Sequence, residues 1–259
     1  MMGMTIATMV LGGCKDKENI SKKDGKESES VEDKKTFTVG FDAEYPPYGY
    51  MDENGEYTGF DLELAEAVCE LEGWELVKKP INWDSKDMEL NSGAIDCIWN
   101  GFTMNGREEE YTFSTPYVDN SQVIVVAEKS GMKTLEDLQG KSVGVQAASA
   151  ALDLLQSEEE GGRKALADTF SALNEFADYN TAFTELQAGA LDALAIDVGV
   201  ANYQIKSRGE GYQILEETLN TEQYAIGFKK GNQELCDVVN ADLKKIDRRR
   251  NDCKARGKI

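Results

Sequence analysis

From residue 36 onward, short apolar runs alternate with amphipathic stretches, and that alternation predicts an α/β chain. Residues 37–41 read as a strand running into Asp42-Ala43-Glu44-Tyr45-Pro46-Pro47-Tyr48, where paired prolines force an extended, irregular loop. Asn54-Gly55, between Tyr48-Gly49-Tyr50 and Glu56-Tyr57-Thr58, predicts a tight hairpin turn. Asp52 and Asn54 have the opening spacing of a calcium loop, but the later ligands of that motif are missing, so a turn is expected. Asp61 is placed to cap a helix whose Leu62, Ala65, Val68, Cys69 and Leu71 make one apolar stripe, and Gly73 is placed to stop it. A strand at 75–79, a short helix at 84–91 and a strand at 96–100 complete a first α/β series.

The alternation then restarts. Strands are expected at 121–127, 141–146, 173–176, 193–196 and 212–215, with helices opening near Ser149, covering 180–188, and running from Asp197 to about Ser207. A last strand at 224–229 and a helix at 233–246 look like a return to the first series. In such sheets small molecules sit beyond the carboxyl ends of the strands. Those ends are residues 42–45, Trp83 with its neighbours, and residues 100–107, all rich in polar and aromatic side chains.

Charge and composition narrow the chemistry. The chain has 259 residues, room for two lobes that each bury a core. Its 28 basic and 48 acidic residues give a net charge of −20, which repels phosphate backbones, so no nucleic acid is expected as a partner. The absence of histidine rules out imidazole-based catalytic triads and most zinc or haem sites. Neither a catalytic residue, a metal nor a cofactor is expected. Cys14, Cys69, Cys97, Cys236 and Cys253 form no CxxC pair. Cys69 falls in an apolar helical stripe and Cys97 in an apolar strand, so both are expected as buried thiols, with a bridge between them open in an exported protein.

The amino terminus points to export. An apolar run at 5–10 leads to Leu11-Gly12-Gly13-Cys14, which resembles a lipobox, so residues 1–14 are expected to be the remnant of a signal peptide, with Cys14 the lipidation site. Residues 15–35 are almost wholly charged or serine and are expected to form a disordered tether above the membrane. The charge-free start at residues 1–4 implies that translation begins further upstream.

Phe41-Asp42-Ala43-Glu44-Tyr45-Pro46-Pro47-Tyr48, Gly59-Phe60-Asp61-Leu62, Asn100-Gly101-Phe102-Thr103 with Arg107, Phe113-Ser114-Thr115-Pro116-Tyr117, and Ala195-Ile196-Asp197 together resemble the polar amino-acid-binding family of bacterial ABC solute-binding proteins. The likeness spans about residues 36–246. It implies a type II periplasmic-binding-protein fold of two α/β lobes joined by two crossovers, near 117–121 and 221–225. Lobe 1 is then 36–119 plus 225–259, and lobe 2 is 120–224. The implied function is capture of a polar or cationic L-amino acid for an ABC permease by a monomer at the cell surface or in the periplasm, held to the membrane only by its lipid.

The resemblance assigns the ligand contacts. Arg107 clamps the carboxylate, aided by the helix start at Ser149 and Ala150, while Asp197, Thr103 and Gly101 accept from the ammonium. Asp42, Glu44, Tyr45, Trp83, Asn100 and Gln146 complete the set. The chemistry is consistent: both charges of a zwitterion lose water when a cleft shuts, and each then needs an ionic partner. On spacing alone Arg107 could be a solvated helical arginine beside Glu108, Glu109 and Glu110, Asp197 a helix cap, and Tyr45 and Trp83 plain core aromatics. Arg107 also stands one residue closer to Thr103 than the family pattern has it. Side-chain preference is open between cationic ligands, suited by Asp42 and Glu44, and glutamine.

Two other functions fit the same fold: a cyclohexadienyl-dehydratase-like enzyme, for which Glu44 is the acid–base candidate, and a ligand-sensing receptor domain. After Ile246 the family closes with a turn and a further helix, whereas residues 247–253 are a basic run. Read one nucleotide out of frame, permitted codons for 250–259 can encode such an ending, so a frameshift is expected there.

Overall fold

The computed structural model describes residues 34–255, with side chains to Arg249; the expected leader, Cys14, all but the end of the tether, and the Cys253 side chain lie outside the described residues. Strand β1 (Thr36–Phe41) pairs in parallel with β5 (Glu75–Pro80) and β6 (Cys97–Ile98). The first sheet runs β5-β1-β6-β14-β7, with β14 (Gly227–Lys229) antiparallel to β6 and to β7 (Tyr111–Phe113). Three short strands, β2 (Glu44–Tyr45), β3 (Gly49–Met51) and β4 (Tyr57–Thr58), form a small antiparallel sheet. At the Asn54-Gly55 turn between β3 and β4, Asp52 accepts from the amides of Asn54 and Glu56, which fixes the reversal.

Helix α1 (Phe60–Glu72) covers the first sheet. Leu62, Ala65 and Val68 are fully buried against Phe37, Val39 and Phe41, at about 1.5–3 kcal/mol for each large side chain. Gly73 ends the helix as expected, its amide bonding to the Cys69 carbonyl. Asp61 does not cap it. The N-cap is Gly59, and Asp61 lies inside the first turn with its carboxylate directed elsewhere. The expected 84–91 helix splits into a 3₁₀ turn, Trp83–Ser85, and helix α2 (Lys86–Ser92). Helix α7 (Gln233–Ala255) runs past residue 246, because no glycine or proline interrupts the basic run there.

The second sheet runs β10-β9-β11-β8-β12. Strands β9 (Ser142–Gln146), β10 (Ala172–Phe176) and β11 (Ala193–Asp197) are parallel, while β8 (Val118–Ala127) is antiparallel to β11 on one side and to β12 (Tyr212–Ile214) on the other. Helices α3 (Ala150–Gln156), α4 (Lys164–Ala167), α5 (Tyr179–Ala188) and α6 (Val198–Arg208) flank it, over two apolar clusters centred on Phe183 with Ile196 and on Leu138 with Val145.

The two passages of chain between the sheets lie side by side. Strand β13 (Asn220–Tyr224) pairs antiparallel with β8, from Val118 opposite Tyr224 to Gln122 opposite Asn220. The strand expected at 224–229 is therefore broken. After Tyr224 the chain changes partners, with Ala225 donating to the Phe102 carbonyl and Ile226 to the Ser114 hydroxyl, before β14 joins the first sheet. Cys69 and Cys97 are buried free thiols, and no helix among the described residues is long and apolar enough to cross a membrane.

Candidate functional site

Nine side chains or backbones from both lobes line one cavity: Tyr45, Trp83, Gly101, Thr103, Arg107, Gln146, Ser149, Ala150 and Asp197. All but Arg107 lie at or just beyond the end of a strand, where the fold leaves loops free to face the opposite lobe, and Arg107 lies in the long connection between β6 and β7. Gln146 and Asp197 are the last residues of β9 and β11, and Ser149 is the N-cap of α3, accepting from the Leu152 amide. Gly101 turns there with φ 59°, a conformation that suits glycine, and an added Cβ would press on Tyr45 and Tyr224 at 3.0–3.1 Å. The space open to the centre of a water molecule is about 10 Å³, enough for roughly one water. That is too little for a molecule the size of an amino acid.

The cavity has one cationic wall and one anionic wall. Arg107 is not helical; it sits in a turn, 12% exposed, with its guanidinium 5.1 Å from the Phe102 ring centre. Its Nη2 donates to Asp153 Oδ2 of α3 at 2.6 Å, an ion pair made across the cleft. The amides of the first turn of α3 have no partner within the helix, as at any helix start. Opposite, Asp197 occupies the N-cap position of α6 but its side chain makes no cap bond. Its Oδ1 instead accepts from Asn120 Nδ2, Gln122 Nε2 and Tyr224 Oη at 2.6–2.7 Å. Burial, followed by the negative charge of Glu222, pushes the Asp197 carboxyl up to about 6.

A wider cavity of about 680 Å³ adjoins this one through Trp83, lined by the carboxylates Asp42, Glu44, Asp84, Glu89 and Asp178. Asp42 accepts from Gln146 Nε2 of the other lobe at 2.7 Å and from the Glu44 amide, and burial is the main reason its carboxyl rises to about 6. Glu44 accepts from Asn180 Nδ2, again across the cleft. Lys86 reaches over to the Ala148 carbonyl, and Ala148 itself has a φ of 54°, a strained setting for a residue with a side chain.

The model of the bacterial extracellular solute-binding proteins, family 3, matches residues 37–251. This chain belongs to that family. As a family 3 protein it is 29% identical to the L-cystine-binding protein TcyJ of Escherichia coli K12 over 213 residues, 81% of this chain and 77% of TcyJ. It is 30% identical to the arginine-binding extracellular protein ArtP of Bacillus subtilis 168 over 223 residues, 85% of this chain and 84% of ArtP. Among solved structures, an ABC uptake transporter substrate-binding protein from Streptococcus pneumoniae with bound histidine aligns with a TM-score of 0.76 and 34% identity, covering 82% of this chain and 86% of that one. The fold of this family 3 chain is accordingly the type II periplasmic-binding-protein fold.

Eleven of the twelve expected contact residues line one or other cavity; Asn100 lines neither. Its side chain is buried behind the site, where Oδ1 would lie 2.5 Å from a Cβ on Gly49. Four residues that support this candidate site went unread as such in the sequence. Asp61, fully buried, accepts from the Gly101 amide at 2.5 Å and from Tyr117 Oη at 2.8 Å, and so holds the loop that carries Gly101 and Thr103. Asn120, Gln122 and Glu222 form the buried polar layer beneath Asp197. A signal was present: Asn120 and Gln122 stand two apart at the head of an apolar strand, hence on one face, and Glu222 and Tyr224 do the same on its partner.

Proposed function

We propose that this chain is the ligand-capturing component of an ABC importer and that its lobes close on an L-amino acid, which it delivers unchanged to the permease. One observation carries the reading: Arg107 from one lobe and Asp197 from the other line the same cavity, a pairing of charges that complements a zwitterion and nothing of single sign. In this reading the Arg107 guanidinium and the α3 amides near Ser149 and Ala150 take the carboxylate, while Asp197 and Thr103 take the ammonium. Only the closed form offers both sets of contacts, so the ligand shifts the population toward closure and the permease reads the closed shape. The lobes are assigned to 36–119 with 225–259 and to 120–224, Cys14 to a lipid anchor at the cell surface or in the periplasm, and the working unit to a monomer.

The ligand's side chain points past Trp83 toward the wider cavity in this scheme. Five carboxylates line that space, which favours a cationic side chain; a second zwitterionic head, as in cystine, would bring its own carboxylate against them. The named relatives are binding proteins, and Glu44, the acid–base candidate for a dehydratase, is bonded to Asn180 outside the inner cavity. A thermal-shift screen against the common L-amino acids tests the reading. Arginine or lysine is expected to raise the melting temperature most, as binding to the folded state demands. No shift with any amino acid would refute the function, and a shift with aspartate or glutamate alone would refute the cationic preference.

A further inference from the structure

Behind the inner cavity lies a buried acidic pair that zwitterion recognition alone does not call for. Glu222 on β13 is 4% exposed, and its Oε1 accepts from Asn120 Nδ2 and Gln122 Nε2 at 2.8 Å and from Thr103 Oγ1 at 2.7 Å. The same two amide nitrogens also donate to Asp197 Oδ1 at 2.7 Å. Two carboxylate oxygens are thus held beside each other by two shared donors, in the segment where the chain passes between the lobes.

We propose that Glu222 is a positioning residue for the ligand's ammonium: it fixes Thr103 as an acceptor toward the cavity and, by its charge, makes Asp197 hold a proton that the arriving ammonium displaces. The proposal rests on the amino-acid reading above.

The first half follows from hydrogen-bond valence. A threonine hydroxyl has one proton, and Thr103 gives it to Glu222, so only lone pairs remain to face the cavity. Thr103 can then accept from an ammonium but cannot donate to a hydroxy acid's oxygen.

The second half follows from charge. The groups around Asp197 are Glu222, the neutral phenols of Tyr45, Tyr48, Tyr179 and Tyr224, and, along the inner cavity wall, Arg107. Arg107 is already paired with Asp153, and the phenols and amides contribute no positive charge. Two buried like charges side by side favour protonation of one. Burial and then Glu222 raise the Asp197 carboxyl to about 6, in line with that geometry. When an ammonium supplies the missing positive charge, Asp197 is held as the carboxylate and its proton leaves for solvent. Binding therefore weakens as pH falls through about 6, approaching tenfold per unit well below it.

Isothermal titration calorimetry with L-arginine at pH 6, in two buffers of different ionisation enthalpy, counts the protons released. Wild type is expected to release on the order of half a proton per ligand, as a group near its midpoint must. Glu222→Gln should still bind, but release fewer protons and show a weaker loss of affinity between pH 7.5 and 5.5, the remainder being due to burial. Asp42 and Asp61 also titrate in this range, so the comparison between wild type and variant is the readout. Equal release in the two proteins overturns the proposal, as does a uniform loss of affinity at every pH, which is what a merely structural Glu222 would give.

Absence of heat with L-arginine and with every other common amino acid would instead remove the amino-acid reading. The carboxyl pair is then read directly in the unliganded protein by infrared difference spectroscopy between pH 8 and 5. An Asp197→Asn-sensitive carboxylic-acid band that moves to lower pH in Glu222→Gln upholds the pair; a band unmoved by Glu222→Gln overturns it.

Discussion

Replacing Arg107 by alanine isolates the cationic wall of the cavity. The guanidinium is 12% exposed and, among the described residues, is the one basic side chain lining the inner cavity, so its loss leaves a desolvated ligand carboxylate without an ionic partner. Two charge-assisted hydrogen bonds at about 1.5–3 kcal/mol each put the loss at about 3–6 kcal/mol. At about 1.4 kcal/mol per factor of ten, the dissociation constant rises by roughly two to four orders of magnitude. Little of this reflects the unliganded fold. The partner carboxylate Asp153 is 61% exposed, so that ion pair is largely screened, and the contact with Phe102 is worth about 1–2 kcal/mol. The unliganded melting temperature should therefore fall by only a few degrees. Calorimetric titration with the amino acid that gives the largest thermal shift measures the change, and Arg107→Lys, which keeps the charge but loses the planar fork, should fall between. A folded Arg107→Ala protein whose dissociation constant moves less than fivefold would refute the carboxylate assignment.

Three further outcomes are expected. Gly199, in the first turn of α6, faces Tyr48 of the other lobe, and a Cβ there would lie 2.3 Å from the phenol oxygen. Gly199→Ala should hold the lobes apart and weaken binding by about 1–3 kcal/mol, with a larger radius of gyration in the liganded state by small-angle scattering. Asp61 is raised to about 7 by burial, above its unfolded value of 3.8, so the folded state holds a proton that the unfolded state does not between those values. That contribution to stability is complete below the unfolded value and is lost as pH rises through about 7; the melting temperature of wild type should fall more steeply between pH 5 and 8 than that of Asp61→Asn. Asp42→Asn removes a carboxylate shared between the two cavities' walls through Gln146, and it should weaken arginine binding at least tenfold while changing glutamine binding less than threefold, as measured by competition titration.

What could be read from the sequence, and what could not, divides along the range of the interactions concerned. The strands β1, β9 and β11 were legible because each is a short apolar run closed by turn residues and largely buried in its sheet, whereas the edge strands β5 and β10 carry lysine, asparagine or glutamate and were legible from the strand–helix alternation. Arg107 and Asp197 were picked out by motif, yet spacing alone allowed a solvated arginine and a helix cap, and it is contact with residues far along the chain that leaves Arg107 little exposed and directs the Asp197 side chain away from a cap bond. Arg107 reaches Asp153, and Asp197 reaches Asn120, Gln122 and Tyr224. Asp61 shows the same division in reverse. Its position just ahead of an apolar stripe is what a cap looks like locally, and only the return of the chain at Gly101 and Tyr117 gives its carboxylate other donors. The break at Ala225 also has a long-range cause, since the partners that end β13 there, Phe102 and Ser114, lie in the segments that follow β6 and β7 of the first sheet. The hinge strands carry their information in the one place an apolar pattern discards, the polar residues that interrupt it. Asn120, Gln122 and Glu222 are polar yet buried together beneath Asp197, where Glu222 accepts from the side-chain nitrogens of the other two, so they interrupt the apolar pattern that marks a strand. Under the proposed closure this segment bends between the lobes, and such a layer serves that better than an apolar one, since directional bonds hold one register whereas apolar contacts tolerate several.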